Sequence, residues 1–547
     1  MSRHARRGGA RLLEDVSLSI EPGELVAIVG PSGAGKTTLL EVMAGLATPS
    51  GGTVRFDGRE IDGRGASTRG MLGYVPQDDI VHTELPLART LRYAARLRLP
   101  SSTDAQAIER AVASSLAAVG LEARAGTRVG ALSGGERKRA SIAVELLTDP
   151  QVFFLDEPTS GLDPLTRADL VGRLRGLADR AATVVFTTHA VEDLERCDRV
   201  VFLARGGRVA YVGPVDAALA HFGVASVPEL YGCLSESVAR DPSLDVATPL
   251  TSAAPAVDAP RSAASKSPLV AGPFTQWRVL TRRTIDTIAG NRLTLAILLG
   301  SPALVVAMFA VLFRPGAFDL ASPSPSSMVM VGFWVVFAAF FFGLTYGLLQ
   351  ICTERAILER ERFVGLRPGA YLASKLTVLV PFLAGVVVAM LVVLRALDRL
   401  PARPTNVYLS IGVALLLCAI AALGLGLLTS ALVGNPAQAT LALPMLCFPA
   451  VLFSGAVLPV HLMAGAGSTI SFAVPTRWAF EAMGHDLGAR HIFSHGASPL
   501  GPPLLASYGD AGTLATTTSW AALACFAVAF LAATWAVLAR TTRGATR

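Results

Sequence analysis

Eight residues near the start of the chain, Gly30-Pro31-Ser32-Gly33-Ala34-Gly35-Lys36-Thr37, spell a complete G-x-x-x-x-G-K-T loop, and Thr38 follows it. Such a loop leaves a buried strand, turns tightly and opens a helix. Its glycines let the backbone wrap phosphate groups and aim N–H donors at them. The helix that follows adds its positive end. The apolar run Leu-Val-Ala-Ile-Val immediately before it supplies the strand. This part of the chain is therefore expected to be an α/β domain binding a nucleoside triphosphate, with Lys36 reaching the β- and γ-phosphates and Thr37 ligating Mg2+.

A second set of residues narrows the reading. Leu132-Ser133-Gly134-Gly135-Glu136 precedes a helical stretch, so Ser133, Gly134 and Gly135 offer another anion-binding helix start. The apolar strand Val152-Phe153-Phe154-Leu155 then ends in Asp156-Glu157. Asp156 is placed to hold the Mg2+ shell and Glu157 to act as general base on the attacking water. Residues 183–187 read as another strand, with His189 just beyond it. Strand and helix patterns alternate over residues 11–223, as in a parallel sheet covered by helices.

The remainder cannot be an ordinary soluble domain. The chain is 52% hydrophobic and only 16% charged, and the apolar excess is concentrated after residue 293. Six stretches there, at 293–313, 328–351, 372–394, 407–433, 437–460 and 520–538, have the length of bilayer-crossing helices. The expected fold is thus an α/β P-loop domain over residues 1–240, a flexible linker rich in Ala, Ser and Pro over 241–273, and an all-α six-helix transmembrane domain over 274–547. Residues 274–291 read as an amphipathic helix at the membrane surface, and 461–519 as an external loop.

The net charge of +7 fits cationic flanks of membrane spans rather than nucleic acid. With the P-loop domain inside, six spans return the tail, with Arg540, Arg543 and Arg547, to the same side. Arg395, Arg399 and Arg403 break that pattern, because they fall in a loop placed outside. Lysine occupies only Lys36, Lys138, Lys266 and Lys375, a bias toward arginine that points to a GC-rich, bacterial source. The six cysteines form no C-x-x-C pair, so no metal or disulfide framework is expected. The N-terminus lacks an apolar signal-peptide core. His461, His485, His491 and His495 read as solvated loop residues, with a metal site as the alternative.

The motifs, in this order, resemble those of the ATP-binding cassette of transporters. Residues of Tyr74-Val75-Pro76-Gln77 and Pro158-Thr159-Ser160-Gly161-Leu162-Asp163 match the same family pattern. The resemblance implies that Gln77 touches Mg2+, that His189 contacts the γ-phosphate, and that Ser133, Gly134, Gly135 and Asp163 belong to the nucleotide site. In the family the Ser-Gly-Gly loop caps the γ-phosphate held by a partner cassette. One chain then cannot complete a site, and a second copy of itself, or a paralogue, is implied. The family usually stacks adenine on an aromatic residue before the loop, but the first aromatic here is Phe56. Arg6 or Arg7 could stack instead, or the true start lies upstream.

The order of cassette then spans resembles the G (White-type) subfamily of exporters. Thr353-Glu354-Arg355 through Glu359-Arg360-Glu361-Arg362 resembles its coupling helix, and Pro475-Thr476-Arg477-Trp478 with Glu481 a stretch before its last span. By this resemblance the cargo path would match Phe333, Trp334, Phe337, Phe340, Phe341, Phe342, Phe448 and Phe453. The implied function is ATP-driven export of a hydrophobic or amphipathic compound or lipid by a homodimer in a bacterial inner membrane, both termini cytoplasmic. An ATP-gated membrane regulator without bulk transport is the alternative.

Overall fold

The computed structural model describes residues 3–4, 11–61, 70–78, 81–230, 232, 271–319, 323–496, 498–508 and 514–544. Most of the expected linker, and Arg6 and Arg7, lie outside them. The chain divides into two compact units. The first comprises Met1–Val279, Ile357–Arg367 and Thr542–Arg547; the second comprises Leu280–Ala356 and Pro368–Thr541.

Among the described residues, ten strands and six helices are assigned in the first unit's N-terminal part. The strands are β1 (Arg3–His4), β2 (Arg11–Leu13), β3 (Leu25–Val29), β4 (Arg55–Phe56), β5 (Arg59–Glu60), β6 (Leu72–Val75), β7 (Val152–Leu155), β8 (Thr183–Thr187), β9 (Arg199–Ala204) and β10 (Arg208–Gly213). The helices are α1 (Lys36–Met43), α2 (Leu87–Arg98), α3 (Ala105–Val119), α4 (Gly134–Leu146), α5 (Pro164–Ala178) and α6 (Val215–Phe222). Six strands form the central sheet in the order β10-β9-β3-β8-β7-β6. Only β10 runs antiparallel to its neighbour.

Every residue of β3 is buried, which is why it reads as a continuous apolar run. Its side chains still alternate between faces. Leu25, Ala27 and Val29 join one apolar cluster with Leu91, Leu116 and Ile142. Val26 and Ile28 join the other with Leu39 and Leu40 of α1. Because β3, β8, β7 and β6 are adjacent and parallel, the segments that follow them emerge along one edge of the sheet. Those segments carry the phosphate loop, His189, Asp156-Glu157 and Gln77, the edge where open α/β sheets hold ligands.

The second unit is helical: α8 (Arg292–Leu312), α9 (Pro325–Leu348), α11 (Pro368–Ala396), α12 (Thr405–Leu432), α13 (Pro436–Leu452), α14 (Gly465–Ser471), α15 (Pro475–Asp486), α16 (Ala489–His495), α17 (Gly501–Tyr508) and α18 (Thr516–Gly544). Helices α7 (Pro273–Gly290) and α10 (Arg355–Phe363) each contribute residues to both units, as does α18 by its last residues from Thr542. Helix α7 covers the expected amphipathic segment, yet Gln276 and Arg283 lie on its buried side and Phe274 and Ile285 are exposed.

Among the described residues five apolar segments, not six, are long enough to cross a bilayer. The fifth expected span, 437–460, stops at Leu452 after 17 residues. At about 1.5 Å per residue it falls short of a core about 30 Å thick. Pro444 and Pro449 lie inside it, and Gly455 beyond it has φ +80°, so the backbone cannot continue as helix. The expected external loop holds α14 to α17, and α15 packs against α9, α12 and α13.

Helices α9 and α12 form the centre of this unit through small residues. A Cβ on Gly343 would lie 2.1 Å from Ala419 O, and one on Gly347 would lie 2.5 Å from Leu423 O. Close backbone approach of this kind is how apolar helices associate without a hydrophobic driving force. The chain then breaks after α9, where Ser430 Oγ accepts from the N–H groups of Ile351 and Cys352, both at 3.0 Å. The arginines that disturbed the charge pattern have local partners. Arg399 donates to Ala310 O in the last turn of α8 (2.8 Å), and Arg403 to Leu487 O just past α15 (3.1 Å). Each satisfies a carbonyl that the helix itself leaves unpaired.

Candidate nucleotide-binding site

The phosphate loop joins β3 to α1 under tight steric demands. A Cβ on Gly30 would sit 2.3 Å from Leu203 O, and Gly35, the N-cap of α1, has φ +93° with a Cβ position 2.6 Å from Leu12 O. Neither position admits a side chain without moving backbone. Lys36 folds back along the loop and donates to the carbonyls of Gly30 (2.9 Å) and Pro31 (3.2 Å). Partial burial lowers its pKa, with Glu157 and Asp156 pulling the other way.

Asp156 follows β7 and is almost fully buried. Its Oδ1 accepts from Thr187 Oγ1 at 2.6 Å and from Thr37 Oγ1 at 3.2 Å. Thr187 Oγ1 also accepts from the Glu157 N–H at 2.8 Å. One hydroxyl at the end of β8 therefore positions both acids at the end of β7. Glu157 has φ +45°, a region that non-glycine residues occupy seldom and at some cost. Gln77 Nε2 donates to Glu157 Oε2 at 3.2 Å, and His189 Nδ1 lies 3.6 Å from Glu157 Oε1. A second buried carboxylate, Asp193, accepts from Thr159 Oγ1 and Thr188 Oγ1, each at 2.7 Å. It ties the segment after Glu157 to the residue before His189.

Gly30, Pro31, Ser32, Lys36, Glu157 and His189 line one open cleft. Gly33, Ala34, Thr37 and Thr38 continue the loop into α1. The oxygens of Thr37 and Asp156 are hard donors suited to Mg2+, so the residues present fit that ion. Ser133, Gly134, Gly135 and Asp163 do not line this cleft. Ser133 caps α4 in a reciprocal box with Glu136, and Arg124 pairs with Glu136 at 2.8 Å. The Ser133 N–H bond lowers the pKa of Glu136 against the opposing effect of burial, with Arg124 adding to the lowering. Asp163 caps α5 by accepting from Thr166 N. Ser133, Gly134 and Asp163 are exposed at helix starts.

Three features were not visible in the sequence. Thr187 looked like a strand residue. Lys138, buried on α4, donates to the Gln77 carbonyl and so links the Ser-Gly-Gly helix to the Gln77 loop. The third is a buried ionic cluster. Glu145 on α4 accepts two bonds from Arg98 (2.7 Å each) and one from Arg360 (2.7 Å). Arg360 Nη2 also donates to Ser141 O at 3.0 Å. Burial alone would raise the Glu145 pKa, but the two guanidinium groups outweigh it and hold it down to about 2. Gln276 anchors the same segment by donating to Gly365 O and accepting from Arg367 N.

The charged run expected to act as one piece is therefore divided. Arg360 belongs to the first unit, whereas Glu354 pairs within the second, with Lys375 at 2.9 Å and the Tyr371 hydroxyl at 2.9 Å. The expected aromatic path also needs correction. Phe333, Phe340 and Phe342 are buried inside the unit, on a helix packed on several sides. Trp334, Phe337 and Phe341 are half-buried, and Phe448 is exposed.

Residues 13–160 match the family described as ABC transporter, and residues 275–485 the family described as ABC-2 type transporter. An ABC transporter ATP-binding/permease protein of Mycobacterium tuberculosis is 34% identical over 487 residues, covering 87% of this chain. The chain spans 56% of that protein's length. A Nod factor export ATP-binding protein I of Burkholderia orbicola is 37% identical over 228 residues, 42% of this chain and 74% of that one. ABC transporter G family member 22 of Arabidopsis thaliana is 37% identical over 220 residues, 39% of this chain and 29% of that one.

Proposed function

The chain belongs to the ATP-binding-cassette transporters, joining a cassette to an ABC-2-type membrane domain as G-type half-transporters do, and from that premise we propose that it is an ATP-driven exporter of a hydrophobic or amphipathic compound, working as a homodimer. The observation that carries the dimer is the separation of the two phosphate motifs. The chain has one phosphate loop and one Leu-Ser-Gly-Gly-Glu signature, and the residues of the second do not line the cleft of the first. A second copy would bring its Ser133, Gly134, Gly135 and Asp163 to the ATP held by this one, giving two composite sites.

In each site Lys36 leaves the carbonyls of Gly30 and Pro31 for the β- and γ-phosphates. Thr37, Asp156 and Gln77 would hold Mg2+, which would neutralise charge on the phosphate oxygens. Glu157 takes a proton from the attacking water. Gln77 and His189 orient its carboxylate from two sides, and His189 also meets the γ-phosphate. Closure of the dimer on ATP favours one arrangement of the membrane domain, and hydrolysis removes that preference. Arg360, bonded to Glu145 on the Ser-Gly-Gly helix, is the side chain that carries the change to the membrane helices.

Export direction is supported by relatives named for Nod factor export. The uncharged aromatic row Trp334, Phe337 and Phe341 supports an apolar cargo. The protein spans a membrane; we place it in a bacterial inner membrane with both termini in the cytoplasm, α13 and the short helices after it serving as the fifth crossing. The test is ATPase activity in lipid nanodiscs, wild type beside Glu157→Gln, with lipids and amphipathic drugs added. Loss of turnover in the variant and stimulation of the wild type by one compound class uphold the proposal. Hydrolysis only after a second polypeptide is added would remove the homodimer. No stimulation and no accumulation in vesicles would favour a regulator.

A further inference from the structure

We propose that helix α16 carries a binding site for an imidazole-seeking divalent transition ion, formed by His491 and His495. The two residues are four apart on a helix, so they share a face. That face is exposed, while Ile492 and Phe493 of the same helix are buried and fix its orientation. The rings stack with centroids 4.7 Å apart and planes 17° from parallel. A shared Zn2+ needs one nitrogen of each ring at roughly 2.0–2.1 Å, and the pair already stands side by side on one exposed face.

Ser494 bridges the two histidines. Its Oγ lies 3.2 Å from the His491 carbonyl oxygen and 2.6 Å from His495 Nδ1. A hydroxyl has one proton, and a carbonyl oxygen can only accept. In the tautomer in which that proton goes to the carbonyl, His495 Nδ1 carries hydrogen and donates to Ser494 Oγ, and Nε2 is the nitrogen open to a metal. Among the described residues no group of three or more His, Cys, Asp or Glu gathers to hold a metal. The pair supplies two ligands and water completes the shell, as suits Cu2+, Ni2+ or Zn2+. Asp486, the nearest carboxylate along the chain, is engaged with Thr516 at 2.6 Å.

The site does not depend on the transport reading. Its ligands bracket one turn of a helix that packs on α9, α15 and α17, so a bound ion would staple that turn.

The experiment uses the full chain without a polyhistidine tag, in nanodiscs and free of nucleotide. It is titrated with Cu2+ and with Zn2+ by calorimetry, and the Cu2+ form is examined by electron paramagnetic resonance. One ion per chain with a two-nitrogen signature is expected. His491→Ala and His495→Ala should each abolish it, Ser494→Ala should weaken it about tenfold, and His485→Ala should leave it intact. All four positions are exposed, and unchanged basal ATPase checks that the variants fold. Equal binding by wild type and both histidine variants, or no binding by the wild type, would overturn the proposal.

Discussion

The two units hold their important residues by opposite means. In the first, buried carboxylates collect hydroxyl and guanidinium donors: Asp156 with Thr37 and Thr187, Asp193 with Thr159 and Thr188, Glu145 with Arg98 and Arg360. In the second, glycine lets α9 and α12 touch backbone to backbone, and polar groups serve mainly at helix ends. Directional bonds suit a site where atoms must be placed for chemistry. Close apolar contact suits helices whose surroundings offer no water to compete with.

The sharpest break between the regions is kinetic. Glu157→Gln should lower ATP turnover by about 10²–10⁴-fold with little change in melting temperature; phosphate release in nanodiscs measures it, and a loss of only a few-fold would remove Glu157 as base. Next is Glu145→Ala, which leaves two buried arginines without their anion and should cost about 3–5 kcal/mol in thermal unfolding. Arg360→Ala should cost less, since Glu145 keeps Arg98, yet abolish cargo stimulation while basal hydrolysis persists. Stimulation that survives would end the coupling role.

The same cluster predicts an acid limb. The Glu145 pKa lies below its ordinary 4.5, so its contribution is complete above pH 4.5 and fades as pH falls toward about 2. Glu145→Gln should flatten that limb in a pH series of melting curves. In the second unit, Gly343→Val should cost about 1–3 kcal/mol through overpacking against Ala419, seen as earlier thermal aggregation. A variant that stays as stable as wild type would show that α9 and α12 can separate freely. The smallest effect is Arg403→Ala, about 0.5–1.5 kcal/mol for one bond to Leu487 O, measured by the same assay.

Much of the first unit was legible because its backbone rules are local. The strand 25–29, its loop and the helix after it follow from apolar residues, glycine and lysine in sequence, and adjacency in a parallel sheet gathers the rest. Thr187, Lys138 and Glu145 were not legible, since nothing near them in sequence names Asp156, the Gln77 carbonyl or Arg360 as partner. In the second unit hydropathy located the helices but not their ends. The prolines and Gly455 that stop α13 lie inside an apolar run, and averaging over a window hides them. Phe333 and Phe341 look alike in sequence, and only packing separates the buried one from the half-buried one.

The grouping of Ile357–Arg367 with the first unit has a bearing on how such chains can be recombined. A crossover placed in the segment after residue 230 would leave Arg360 of one parent facing position 145 of the other. The interchangeable module is discontinuous along the gene. Chimeras between half-transporters should fail or succeed according to whether a short stretch, more than a hundred codons downstream, travels with the cassette it belongs to.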